Sequence, residues 1–229
     1  MAFPDYTYDR YCDFEAGLPA AWTETDAGGN LNVQSATAKY YGSYGMAYDG
    51  VNSPFIRTDF GVNPTSISLG FWMYTGVHTD WARNYVVYTD NSTLGAVPIR
   101  ALWGDTEGGD AKFTLRNDTG TYSAAGVTVA DATWYWVTIQ ATISGTAYLR
   151  VYNTSHAQVG AEISVAVNAN NNFRYLNIIG PASSSAVVYY DDIVIDWTDA
   201  TYPLLGWETA AGGTNVSKYK KYYDYRRSQ

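Results

Sequence analysis

The chain has 229 residues, 46% of them apolar, with one cysteine and a formal net charge of −8. That length and apolar content supply a full core for one large all-β domain or two small ones, and exclude a disordered chain. A lone Cys12 excludes an internal disulfide, and no apolar run approaches the ~18 residues of a membrane span.

The opening "MAFPDYTYDRY" (1–11) has neither a basic start nor an apolar stretch. It is therefore read as an N-terminal arm rather than a secretory signal. The expectation that follows is a protein that works where it is made or leaves the cell by a non-classical route, such as inside a virus particle. From residue 12 onward apolar and polar residues alternate with period two, and nothing supports an amphipathic helix of three turns. After the opening stretch, strands are expected at 66–76, 84–90, 98–105, 111–118, 133–144, 146–154, 173–180 and 187–196. Turn chemistry separates them in "DTEGGD" (105–110), "NDTG" (117–120), "SGT" (144–146) and "GPASSS" (180–185). Many short strands at fairly regular spacing point to a two-sheet antiparallel jelly-roll sandwich over residues 12–199. The 22 tyrosines suit half-buried strand faces.

"VVYYDDIVID" (187–196) holds two adjacent acids in an otherwise apolar strand. Strict alternation places Asp191 with Val187, Tyr189, Ile193 and Ile195, on the face expected to be core. Asp192 then joins Tyr190, Val194 and Asp196 on a face that meets water. A carboxylate in the core needs an arginine such as Arg10 or Arg57, a set of backbone N–H donors, or a metal ion.

Residues 200–229 read as a linker and a basic, Tyr-rich arm, with "AGGTN" (211–215) as a hinge. The last twelve residues, "KYKKYYDYRRSQ", carry five of the 14 basic groups and one acid, leaving the rest strongly acidic. Such a body repels phosphate and argues against a general nucleic-acid role. The arm is a solvated end, a nucleic-acid contact or a docking element for a neighbouring subunit. In the docking reading Tyr219, Lys220, Lys221, Tyr223, Arg226 and Arg227 make the contacts.

Catalytic patterns are not found. No Glu-x-Asp-x-x-Glu run pairs a nucleophile with a proton donor, since Glu24 and Asp26 are followed by no second glutamate. His78 and His156 both stand in polar, turn-like surroundings away from any nucleophile elbow, and zinc lacks ligands. Glycan binding needs exposed aromatic faces beside polar groups. "GVHTDWARN" (76–84) offers His78, Asp80, Trp81 and Arg83, and "LWGDTEGGD" (102–110) offers Trp103 and Asp105. The alternative is that Trp81 and Trp103 pack the ends of the sandwich core.

Three segments resemble the concanavalin A-like jelly rolls in their laminin-G-like and MAM-like branches. These are "CDFEAGLPAAWTET" (12–25), "ATWYWVTIQATISGTAYLRVYN" (132–153) and "LNIIGPASSSAVVYYDDIVID" (176–196). The resemblance implies that acids of the first and Asp-Asp-Ile strands hold a structural Ca²⁺, here Asp13 or Glu15 with Asp191 or Asp192, and Asp49 in "AYDG" is a further candidate. Where relatives have Asp-Gly after the second central strand, "VYNTSHAQVG" stands instead. The expected function is a non-catalytic display protein of a multi-subunit assembly: a phage or viral capsid decoration, or a head/tail accessory protein, on the virion surface. The second reading is a lectin-like adhesion module for surface glycans, and the third is a polysaccharide-degrading enzyme.

Overall fold

The computed structural model describes residues 9–26, 28–48, 54–77, 84–90, 97–104, 111–167, 172–180, 187–198, 207–209 and 215–217. These form strands and no helix, so no described helix is long and apolar enough to cross a membrane. The first strands are β1 (Arg10–Cys12), β2 (Trp22–Thr25), β3 (Leu31–Ser35), β4 (Gly45–Tyr48), β5 (Phe55–Asp59) and β6 (Ser66–Thr75). Next come β7 (Asn84–Asp90), β8 (Ile99–Gly104), β9 (Lys112–Asn117), β10 (Val127–Thr128), β11 (Thr133–Thr142) and β12 (Thr146–Tyr152). The last are β13 (Gln158–Ala166), β14 (Tyr175–Ile179), β15 (Val188–Asp196), β16 (Trp207–Thr209) and β17 (Asn215–Ser217).

Two antiparallel sheets make a sandwich. Sheet A runs β13-β12-β11-β6-β15-β4-β3, with β1 also paired to β15, and sheet B runs β10-β9-β8-β7-β14-β5-β2. The expected strands all form, within two residues at each end. Alternation builds the core: β6 sends Ile67, Leu69, Phe71 and Met73 inward and Trp72 and Tyr74 to the other face. Its ten-residue register with β11 aligns Val137 and Ile139 beside Phe71 and Leu69, so one layer of side chains fills the sandwich. Burial of that apolar layer is the main driving force of the fold.

Two expectations are corrected. The N-terminal arm does not extend to residue 11, because β1 pairs with β15 and Asp9 accepts hydrogen bonds from the backbone N–H groups of Trp197 and Thr198. Of "AGGTN", all but Asn215 of β17 lies outside the described residues. More consequentially, strict alternation fails in β15. Asp191 stands opposite Trp72 and Val194 opposite Gly70, so two residues of β15 face the single Phe71 of β6. Asp192 absorbs the extra residue with φ of 47°. A bulge of this kind reverses the parity of everything beyond it. Tyr190 and Ile193 therefore both point into the core, and Asp191 points out.

Candidate functional site

The outer face of sheet A carries an aromatic layer. Trp134, Tyr74 and Tyr189 lie in one cross-strand row on β11, β6 and β15. Tyr74 stacks on Tyr189 with ring centroids 5.1 Å apart, and Trp134 lies 5.6 Å from Tyr74. The next row holds Trp136, Trp72 and Asp191. Trp72 and Trp136 are buried beneath a partly buried rim of Tyr11, Tyr40, Tyr41 and Trp134. Tyr40 stacks on Trp72 at 3.7 Å, although it belongs to the connection between β3 and β4. Further along, the same face turns polar: Ser68 and Thr138 are buried, and Gln140, Ser66 and Thr142 are accessible. It ends at an open depression of about 820 Å³ bordered by Asn63, Ser66, Gln140, Thr142 and Trp197.

The paired acids hold that connection in place. Asp191 Oδ2 accepts the backbone N–H groups of Tyr40 at 2.8 Å and Tyr41 at 2.9 Å, and its Oδ1 accepts that of Asp192. Glu15 Oε1 accepts the next two donors, the N–H groups of Ser43 and Tyr44. Gly45 completes the turn. A Cβ there would stand 1.8 Å from the Ala38 carbonyl oxygen, so only glycine lets the two backbones meet. Asp192 Oδ1 accepts the Tyr11 hydroxyl at 2.8 Å, while its buried Oδ2 has no hydrogen-bond partner.

Both acids are 1% exposed. Burial pushes the Asp191 carboxyl up, as does the charge of Asp192, while three amide donors pull it back. Asp192 has one hydroxyl donor in their place. Burial pushes it up to about 7 despite the Tyr11 bond, with Asp13 and Glu15 adding repulsion. Burial thus raises both carboxyls of the pair.

The acids proposed for calcium are used otherwise. Asp13 Oδ1 accepts the Glu15 N–H, Glu15 and Asp191 serve backbone amides, and Asp49 lies outside the described residues. Among the described residues no three acidic, His or Cys side chains gather closely enough to hold a metal. The described residues alone do not make up a calcium cage, the orphaned Asp192 Oδ2 notwithstanding. Backbone N–H groups are the partners that Asp191 required.

Trp103 is corrected to a core residue: it is 0% exposed and packs among the inward side chains of sheet B, so no sugar can stack on it. His78, Asp80, Trp81, Arg83 and Asp105 lie outside the described residues, as do Tyr219, Lys220, Lys221, Tyr223, Arg226 and Arg227. His156 stands in a turn with φ of 65°. Sequence reasoning missed Tyr40, Tyr74, Trp134 and Tyr189. The alternation of "GFWMYT" with "TWYWVT" held part of the signal, but the cross-strand register that unites them is not in either segment.

The molecule is thus an all-β jelly-roll sandwich with one aromatic outer face. No family model matches the chain, and no curated protein does. Among solved structures it is similar to the cellulose induced protein Cip1 (TM-score 0.62, 14% identity, covering 82% of this chain and 97% of that one). It is also similar to an endo-β-1,4-glucuronan lyase from the fungus Trichoderma reesei (0.59, 11%, 84% and 96%). A third is the CBM2 module of the evolved Dit of Lactobacillus casei BL23 phage J-1 (0.57, 13%, 85% and 97%). At these identities the likeness concerns the fold.

Proposed function

We propose that this chain is a non-catalytic, glycan-binding β-sandwich of the laminin-G-like or MAM-like type, displayed on a phage or viral particle. One observation carries the glycan reading: Trp134, Tyr74, Tyr189 and Tyr40 form a half-buried aromatic group on the sheet face that also carries the accessible side chains of Gln140, Ser66 and Thr142. Half-buried rings supply apolar area at little entropic cost, and the amide and hydroxyl groups match sugar hydroxyls. The phage module and the cellulose-induced protein among the similar structures support it as analogies of fold. The capsid-decoration or head/tail role rests on the basic, Tyr-rich arm acting against an acidic body.

Trp134→Ala tests the glycan reading by affinity electrophoresis through gels containing neutral plant and bacterial polysaccharides. The wild-type chain is expected to be retarded, with at least a tenfold loss of affinity in the variant and an unchanged far-UV spectrum. Equal retardation of both proteins removes the aromatic face from the proposal. Release of new reducing ends during the same incubations refutes the non-catalytic reading.

A further inference from the structure

The opposite face carries different chemistry. On sheet B, Thr23, Arg57, Asn177, Tyr88, Arg100 and Arg116 stand side by side in direct register across β2, β5, β14, β7, β8 and β9. Their sequence neighbours Ile56, Ile178, Val87, Ala101 and Leu115 are in the core, so alternation turns the row outward. At a strand spacing of about 4.8 Å the row is roughly 24 Å long. The chain before its basic tail has nine Arg and Lys residues against 21 acids, yet three of those nine fall in this single row. Chance alignment on an acidic body is a poor account of that concentration.

The row is also rigid. Asn177 is fully buried, accepts from Arg57 Nε at 2.6 Å and donates to the Tyr88 carbonyl at 3.4 Å. Arg57 lies against the rings of Phe55 and Tyr175, 5.1 and 5.4 Å from their centroids. Its terminal nitrogens make no hydrogen bond among the described residues. A guanidinium clamped through Nε presents its outer edge as a planar two-donor fork, the geometry that pairs with a carboxylate. Arg116 is held similarly, by the Gly120 carbonyl and the Tyr122 ring.

We infer that the outer face of sheet B binds an acidic polysaccharide, with Arg57, Arg100 and Arg116 receiving carboxylates at intervals along the chain and Asn177 and Tyr88 ordering the row. This goes beyond the proposed function, which uses the opposite face and neutral sugar surfaces. Asp59 and Asp90 flank the row through Tyr175, and with the acidic body they repel any polyanion at long range. Binding therefore depends on the close fork contacts, and a nucleic acid is the competing occupant that the test must separate.

The test uses the full chain with polygalacturonate, a neutral dextran and a single-stranded oligonucleotide as immobilised probes. Retention on polygalacturonate that weakens with salt is expected. The Arg57→Gln/Arg100→Gln double variant and Arg116→Gln alone should each lose at least fivefold in affinity, with thermal midpoints near wild type. Trp134→Ala should bind polygalacturonate normally, which separates this face from the aromatic one. Absence of retention, unchanged retention by all the arginine variants, or tighter binding to the oligonucleotide each overturns the inference. If the double variant fails to fold, Arg116→Gln, near the C-terminal end of β9, decides the matter alone.

Discussion

At Asp191 and Asp192 two carboxylates sit in surroundings that treat them differently. Asp191 is surrounded by amide donors, and Asp192 is left with one hydroxyl and a bare oxygen. The raised carboxyl of Asp192 has a definite consequence for stability. Its value rises from 3.8 to about 7, so between those limits the folded chain holds a proton that the unfolded chain releases. Stability then falls as pH rises through that window, and the raised carboxyl of Asp191 acts in the same direction. The thermal midpoint should be higher at pH 5 than at pH 8 by several degrees, the scale that a few kcal/mol produces in a domain of this size. Asp192→Asn, neutral at every pH, should flatten the profile, and an unaltered profile would dismiss the assignment. The sequence exposed these two residues as anomalous, because paired acids in an apolar strand need partners. It did not reveal which side they faced, since that depends on a one-residue bulge.

The connection between β3 and β4 shows how an element without regular structure is fixed. Four backbone amides end on two carboxylates, and one ring of the connection lies flat on Trp72. Replacing Gly45 with alanine would drive a methyl group into the Ala38 carbonyl. Gly45→Ala is expected to cost about 1–3 kcal/mol, as overpacking of a tight site does. It should also change the near-ultraviolet spectrum by shifting Tyr40 from Trp72; calorimetry and circular dichroism measure both effects. Elements with dense β-branched and aromatic alternation were readable in advance, β6 and β11 above all. Strand β13 was not, because "QVGAEISVA" has no aromatic residue and exposes most of its outward side chains at a sheet edge.

On the scale of the whole molecule, two chemically distinct faces lie back to back across one core: aromatic on sheet A, cationic on sheet B. Neither face was visible in the linear sequence. Each row takes one residue from several strands that lie far apart along the chain. The two-sheet architecture was visible, because period two and turn residues are local properties. The basic arm belongs to this scale too, since it sets the sign of one end against the rest. Deleting residues 218–229 should leave the thermal midpoint of the sandwich within about a degree, since every core residue of the sandwich precedes the deletion. It should also abolish incorporation of the protein into particles, scored by sedimentation. Full incorporation of the truncated chain would remove the arm from the assembly hypothesis.

The pairing of β1 with β15 brings Asp9 and Thr198 together, so the chain enters and leaves the sandwich at one place. A force drawn along both flanking segments would therefore peel β1 from its neighbour one hydrogen bond at a time, the weakest way to load a ladder. Tyr11 would leave with it and uncover Asp192 while the remaining strands stayed paired. A tether attached through both ends would thus yield first at β1 and at the Tyr11 edge of the aromatic face, with the row on sheet B still intact.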